Sequence, residues 1–312
     1  MAVLILAYKR HENLALIVSE CIRAGVIRIY IVVDGAANPE DTHQVDKVRK
    51  VVGDFSFDKS VEFKVRIRTQ NAGCAASVIT ACDWFFAQEQ LGVILEDDCL
   101  PSSGFFNFMA EALPIVAQQP DIWLASGTQF FPEEFPNQKW ALSRYPMHWG
   151  WGTSSDKWRE SRIALDACPP SLRKLVSSVR NSDLIYWFAG ERRAYFGYTD
   201  VWDSIYASNM FRLEKFAIVP PRNLVTNVGD DQNATNTRGD QKYTQSKISS
   251  YETNETMPSY SLNYDLAIRN QFFKISLRHY VTTLLTFVFD VLFIKKKFSR
   301  SLDFRLLHHE IN

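Results

Sequence analysis

Cysteine is scarce in this 312-residue chain. Cys21, Cys74, Cys82, Cys99 and Cys168 are odd in number and show no C-x-x-C spacing. Reduced thiols in a cytosolic protein are the expectation, not a disulfide framework. An excess of either charge is also missing, with 35 Lys+Arg against 35 Asp+Glu. Without an overall basic field, nucleic acid is not an expected partner. No G-x-G-x-x-G and no G-x-x-x-x-G-K-[ST] occurs, which weakens dinucleotide-binding and P-loop readings. The six histidines form no H-E-x-x-H, and no G-x-S-x-G elbow is present. Internal repeats and low-complexity blocks are lacking. The opening MAVLILAYKRHEN has no basic n-region and no cleavage site, so it reads as a first strand and not a signal peptide.

What is present is 46% hydrophobic and 13% aromatic, enough to build one large domain or two small ones around a real core. Ala2 to Ala7 reads as a buried strand, and His11 to Ala24 as a helix with Gly25 just past its end. Val26 to Val33 is a second apolar strand stopped by Asp34-Gly35. Pro39 to Val52 is a polar-faced helix, and Val61 to Thr69 alternates as a strand. Asn71-Ala72-Gly73 turns into a helix over Ala75 to Gln88. Leu91 to Leu95, Phe105 to Ala117 and Ile122 to Ala125 continue as strand, helix and strand. Alternation of this kind predicts an α/β fold with a mostly parallel central sheet flanked by helices. Right-handed crossovers then bring the strand ends to one rim. Beyond Gly127 the pattern loosens. Pro169 to Asn181 and Asp183 to Arg193 look helical, Thr199 opens another helix, Lys215 to Val219 is a short strand, and Asn227 to Tyr260 is polar and loop-like.

The most informative stretch is LGVILEDDCLPSSGFF, Leu91 to Phe106, where an apolar strand ends in Glu96-Asp97-Asp98. Three acids beside a dry sheet repel one another unless a cation offsets them. Open α/β sheets bind ligands at their carboxyl strand ends, and magnesium or manganese often bridges carboxylates to phosphates there. A metal-diphosphate site is one reading, and a charged strand end leading into a capped helix is the other. Asp34-Gly35 by itself is a turn signal, although an acid past an early strand can also hold a ribose hydroxyl or a base imide.

The order of these pieces carries a resemblance. Val3 to Arg10, Val32-Val33-Asp34-Gly35, Asn71-Ala72-Gly73 and Ile94 to Ser102 resemble the successive strand ends of a GT-A glycosyltransferase, with Glu96-Asp97-Asp98 as an EDD form of its DXD motif. His148 to Thr153, Trp202-Asp203, and Asn223 to Gly229 through Ala234 to Thr237 are similar to bacterial nucleotide-diphospho-sugar transferases of the family 2 and N-acetylglucosaminyltransferase I type. The resemblance spans residues 2 to 240. It implies a Rossmann-like GT-A fold and a nucleoside-diphosphate-sugar donor, UDP-sugar favoured. Ala7, Tyr8, Arg10, Asp34, Asn71, Gly73, Glu96 and Asp97 would lie at the donor. Asp98 would hold Mn2+ or Mg2+ directly and Glu96 through water. His148, Trp149, Gly150, Trp151, Gly152 and Trp202 would shape the sugar and acceptor pocket, the Trp149 to Thr153 stretch as a loop. Asp203 would be the base of an inverting transfer, ahead of Asp200, or else simply a first-turn helix charge. Where the family carries Thr-His-Thr, this chain has Thr235-Asn236-Thr237, and Asn236 offers an amide oxygen in place of an imidazole. Asp230 and Asp231 precede it as substitute ligands or solvated loop acids.

The expected organisation is residues 1–240 as the transferase domain, with 1–127 the donor half and 128–240 the acceptor half. Residues 241–271 follow as a polar linker, and 272–312 as a basic amphipathic helical tail. The apolar core of the tail, Val281 to Ile294, is interrupted by Asp290 and too short to span a bilayer. Lys274, Arg278, Lys295 to Lys297 and Arg300 bracket it, which suits a helix lying in an anionic membrane interface through residues 272–300. A helix packed on the catalytic domain or a second subunit is the alternative. The whole predicts an enzyme of surface-polysaccharide (O-antigen or capsule) assembly acting on a lipid-linked glycan, peripheral to the cytoplasmic face of the membrane. Two other readings are a membrane-associated scaffolding protein and a sugar-1-phosphate nucleotidyltransferase. Tyr8-Lys9-Arg10-His11 lacks the glycines the last of these needs.

Overall fold

A computed structural model of the chain describes residues 1–55, 60–134, 140–166, 171–179, 182–229 and 257–293. Asp230, Asp231 and Asn236, and the lysines after Phe293, lie outside these residues.

The first half alternates as the sequence pattern requires. β1 (Ala2–Ala7), α1 (His11–Arg23), β2 (Arg28–Val33), α2 (Thr42–Phe55), β3 (Glu62–Ile67), α3 (Cys74–Phe86) and β4 (Leu91–Glu96) follow one another, then β5 (Cys99–Pro101), α4 (Ser103–Gln118) and β6 (Ile122–Ser126). β1 is buried along its whole length, so both of its faces carry apolar side chains. Val3, Ile5 and Ala7 face one core with Leu14, Ile17, Val45 and Phe108. Ala2, Leu4 and Leu6 face the other, with Val78, Phe85 and Trp202. Gly92 is needed on this second face, because a Cβ there would meet the Phe85 ring at 2.2 Å. Gly92→Ala would displace that ring at a cost of about 1–3 kcal/mol.

The second half contributes β7 (Ala141–Ser143), β8 (Trp151–Ser154), α5 (Ser155–Asp166), α6 (Leu172–Val179), α7 (Ser182–Tyr195), α8 (Asp203–Arg212), β9 (Phe216–Val219), β10 (Val225–Asn227), β11 (Ser259–Tyr260), α9 (Leu262–Ala267) and α10 (Leu277–Phe293). Nine strands form one sheet in the order β11-β7-β9-β6-β8-β4-β1-β2-β3, and β10 pairs β5 separately. Five of the eight neighbouring pairs in the large sheet are parallel, which agrees with the expected mostly parallel sheet.

Three expectations need correction. Trp149 to Thr153 is not a loop throughout, since Trp151–Ser154 is β8, an antiparallel strand inserted between β4 and β6 in the middle of the sheet. Gly152 permits this, because a Cβ would meet Leu113 at 2.9 Å and the Gly92 carbonyl oxygen at 3.0 Å. The helix expected from Thr199 starts at Asp203. Within the stretch expected as a linker, the described part is packed on the body. β11 extends the sheet, Ser261 caps α9 by accepting from the Tyr264 amide, and Tyr264, Ala267 and Ile268 are buried with Phe131, Tyr145 and Trp187.

Candidate active-site cleft at the carboxyl rim of the sheet

Strand register decides what meets at the rim. Leu6 of β1 pairs with Glu96 of β4, Ala7 with Val33 of β2, and Val33 with Ile67 of β3. Tyr8 to Arg10, Asp34, Asn71 to Cys74 and Asp97-Asp98 therefore leave the sheet at the same edge.

The acid triplet is divided in its roles. Asp97 is buried and turned toward the start of α1. It accepts from the Tyr8 amide at 2.8 Å, from the Arg10 amide at 3.4 Å and from an Arg10 guanidinium nitrogen at 2.9 Å. The same guanidinium nitrogen stands 3.5 Å from Asp98 Oδ2. Arg10 is thus the cation that the triplet requires within the protein itself. Asp98 also accepts from the Cys99 thiol at 3.3 Å, and Gly229 fits beside it only because a Cβ would meet Asp98 Oδ2 at 2.6 Å. β10 reaches this spot through its pairing of Asn227 with Cys99. Burial, then Asp97, raise the Asp98 carboxyl, while Arg10 and Cys99 work in the opposite direction. Glu96 is pushed up to about 8, first by burial and then by Asp98, Asp97 and Asp203.

Asp203 is therefore a neighbour of the triplet, although it lies more than 100 residues further along the chain. It starts α8, and Oδ1 accepts from the Ser204 amide at 2.7 Å. The residue is exposed, and nearby protein atoms still take part of the water from around its carboxylate. That partial desolvation raises its pKa, opposed by the Ser204 contacts. Cys74, at the first turn of α3, is central to the same cleft. Burial pushes its thiol up, and Glu96, Asp200, Asp203 and Asp98 add to the shift in that order. Nothing in the sequence pattern marked Cys74, because the four acids around it come from distant segments.

The adjoining rim is tied down by backbone contacts. Asp34 Oδ1 accepts from the Gly35 and Ala72 amides, each at 3.0 Å. Asn71 donates to the Gly35 carbonyl at 2.9 Å and accepts from the Gly73 amide at 3.0 Å. Asp200 then takes the amides of Cys74 at 2.6 Å and Ala75 at 3.1 Å, closing the N-terminus of α3 from across the cleft. Tyr8 points away from the acids. Its hydroxyl donates to Asp41 at 2.7 Å, and burial with the Asp41 contact pushes its pKa up to about 12.

The residues expected at the acceptor pocket are split between the two faces of the sheet. His148 packs with Trp202, Tyr206 and Trp151 at centroid distances of 4.5, 5.2 and 5.5 Å, behind the start of α8. Desolvation lowers the His148 pKa to about 3, so the ring is neutral at pH 7. Trp149 packs instead against Phe130, and Gly150 adopts a positive φ of 63° with its backbone close to Val225. A surface depression of about 270 Å3 lined by Glu134, Asn263, Leu266, Ala267, Asn270 and Gln271 shares no residue with the cleft.

Among the described residues no three His, Cys, Asp or Glu side chains converge as a ready-made metal cage. The donor chemistry nevertheless suits a hard divalent ion. Glu96 is raised by the charges of Asp98 and Asp203 as well as by burial, and Arg10 stands beside Asp98 as an offsetting cation. That fits a site in which one or two carboxylates and a substrate diphosphate hold the ion jointly.

No protein-family model matches the chain, and no curated protein matches it. Among solved structures it is similar to a glucose-1-phosphate thymidylyltransferase of Bacillus anthracis in complex with sucrose, at 14% identity over 55% of this chain and 78% of that one, with a TM-score of 0.32. A UDP-glucose pyrophosphorylase complexed with UDP-glucose is 8% identical over 70% of this chain and 89% of its own, with a TM-score of 0.36. HddC from Yersinia pseudotuberculosis is 11% identical over 50% and 77%, with a TM-score of 0.27. Likeness at this level identifies neither substrate nor reaction, and the α/β layout stands on the sheet order and register themselves.

Proposed function

We propose that the chain is a metal-dependent, inverting GT-A glycosyltransferase. It would move a hexosyl or N-acetylhexosaminyl group from a nucleoside-diphosphate sugar, UDP-sugar favoured, to a hydroxyl of a lipid-linked glycan in surface-polysaccharide assembly. The observation that carries this reading is that Glu96, at the carboxyl edge of β4 beside β1, feels the charges of both Asp98 and Asp203. Residues 1–127 serve the donor in this reading, and 128–240 the acceptor.

Asp34, Asn71 and Gly73 line the rim on which the nucleoside lies. One Arg10 guanidinium nitrogen contacts both Asp97 and Asp98, which places a protein cation beside the diphosphate in this reading. Asp98, with Glu96 behind it, would hold Mn2+ or Mg2+, which supplies charge neutralisation to the departing diphosphate. Asp203 accepts the proton of the acceptor hydroxyl as its oxygen bonds to the anomeric carbon. The bond from that carbon to the diphosphate oxygen breaks on the opposite side. A raised carboxylate pKa suits a base that takes its proton late.

The test is a thermal-shift panel of UDP, GDP, TDP and CMP, each with manganese, magnesium or EDTA. Ligands that bind the folded state raise its melting temperature by mass action. A shift for one nucleoside diphosphate that requires metal and disappears in Asp98→Asn is the expected result. The absence of any shift across the panel would leave the triplet as a strand end held by Arg10.

A further inference from the structure

α10 has more apolar surface than the body of the protein covers. At about 100° per residue, Tyr280, Thr283, Leu284 and Phe287 fall on one arc. This arc packs on α6 and α7, with Phe287 against Phe188 at 5.4 Å beside Leu175 and Ile185. The neighbouring arc carries Leu277, Val281, Leu285 and Val288, which are 77, 50, 67 and 52% exposed. Their spacing of four, four and three residues keeps them in one stripe along the helix axis. Four large aliphatic side chains aligned in water are not the scattered exposure that ordinary surfaces show.

Charge indicates what covers the stripe. Lys274 and Arg278 are exposed at its N-terminal end. Lys295, Lys296, Lys297 and Arg300 follow its C-terminal end in the sequence. Residues 272–312 hold seven Lys+Arg against three Asp+Glu in a chain whose total is neutral. A second copy of the same face would bring these cations together, whereas an anionic surface is attracted by them. Among the described residues no helix is long and apolar enough to cross a membrane.

We propose that the Leu277-Val281-Leu285-Val288 stripe of α10 is a monotopic docking face for an anionic lipid bilayer. The helix lies in the headgroup region with its adjacent packed arc still seated on α7. Apolar contact supplies the depth and the flanking cations the preference for anionic lipid. The inference adds the face and the lipid class to the lipid-linked acceptor read above. Its test reads vesicle binding and not turnover, so the two readings can fail separately.

The full chain is floated with vesicles of phosphatidylcholine alone and of phosphatidylcholine with about a quarter phosphatidylglycerol, a composition at which adjacent cations register. Wild type is expected to bind the anionic vesicles and not the neutral ones, and to release at high salt. Leu285→Glu and Val281→Glu should each lower the partition coefficient at least about tenfold with an unchanged melting temperature, because both sites are solvent-exposed. Equal binding by wild type and Leu285→Glu, or no wild-type binding to either vesicle, overturns the proposal. So does a wild-type dimer in sedimentation that Leu285→Glu converts to monomer without any lipid effect.

Discussion

Asp200 acts as the N-terminal cap of a helix to which it does not belong, and that contact can be measured. Gly73 precedes α3 with φ 80° and ψ 169°, and it has no side chain to cap with. The Asp200 carboxylate fills the role by accepting the first two amides of α3. Loss of a capping carboxylate costs about 0.5–2 kcal/mol, and solvent exposure with relief of repulsion from neighbouring acids places Asp200→Ala near 1 kcal/mol. Gly73→Ala carries two penalties. Its φ and ψ lie where essentially only glycine resides, a cost of about 1–3 kcal/mol. Its new Cβ would also meet Asp200 Oδ2 at 2.4 Å and expel the cap.

The pair is therefore coupled. With about 2 kcal/mol for the backbone and about 1 for the lost cap, Gly73→Ala costs about 3 kcal/mol. The double variant should also cost about 3, since the cap can be lost only once, in place of the additive value of about 4. Urea unfolding of the four proteins measures this directly. An additive double variant would refute the cap, and with it the tie that Asp200 makes between the segment before α8 and the start of α3.

Asp203→Asn should preserve the metal-dependent thermal shift with nucleoside diphosphate and abolish sugar transfer; transfer at near wild-type rate would remove Asp203 as the base. Neutral, half-buried His148 has a folded pKa below its unfolded value, so its contribution to stability is complete above pH 6.5 and is lost as pH falls. By pH 5 the loss is about 2 kcal/mol relative to His148→Phe, read as a divergence of their melting temperatures on acidification. Asp265 has the opposite sign, since burial raises it from 3.8 to about 6 against the opposing contacts of Ser143 and Arg144. Its contribution is complete below pH 3.8 and is lost as pH rises through about 6. Asp265→Asn should remove up to about 3 kcal/mol of that pH dependence, and parallel stability curves for the two proteins from pH 4 to 7 would count against it.

The parts legible in the sequence are those whose cause is local. β1, β2 and β4 are runs of apolar residues ended by a charge or a turn, and a strand buried on both faces cannot be written otherwise. α1 carries its buried stripe at helical spacing, with Gly25 at φ 77° just beyond it. β8 was hidden for the opposite reason. WGTS is too short and too glycine-rich to read as a strand, and its place depends on Leu113 and Gly92 approaching Gly152 from other elements. α5 directly after it was not legible either. Its own Trp158 and Arg162 both donate to Asp83 of α3, a pairing that is tertiary.

The candidate site divides along the same line. Glu96-Asp97-Asp98 could be found from the sequence because three adjacent acids at a strand end are an electrostatic problem visible in one dimension. Its resolution was not visible. Arg10 answers Asp97 from 87 residues away, Asp200 answers the α3 amides from 126 away, and Cys74 stands in the field of Glu96, Asp98, Asp200 and Asp203 without any motif of its own. Asp97 illustrates the consequence. It looks equivalent to its neighbours in the sequence, yet two backbone amides and a guanidinium already occupy it, so it holds the β1–α1 turn in place. Glu96, by contrast, stands in the field of Asp98 and of Asp203 from α8, which links the triplet to the second half of the chain.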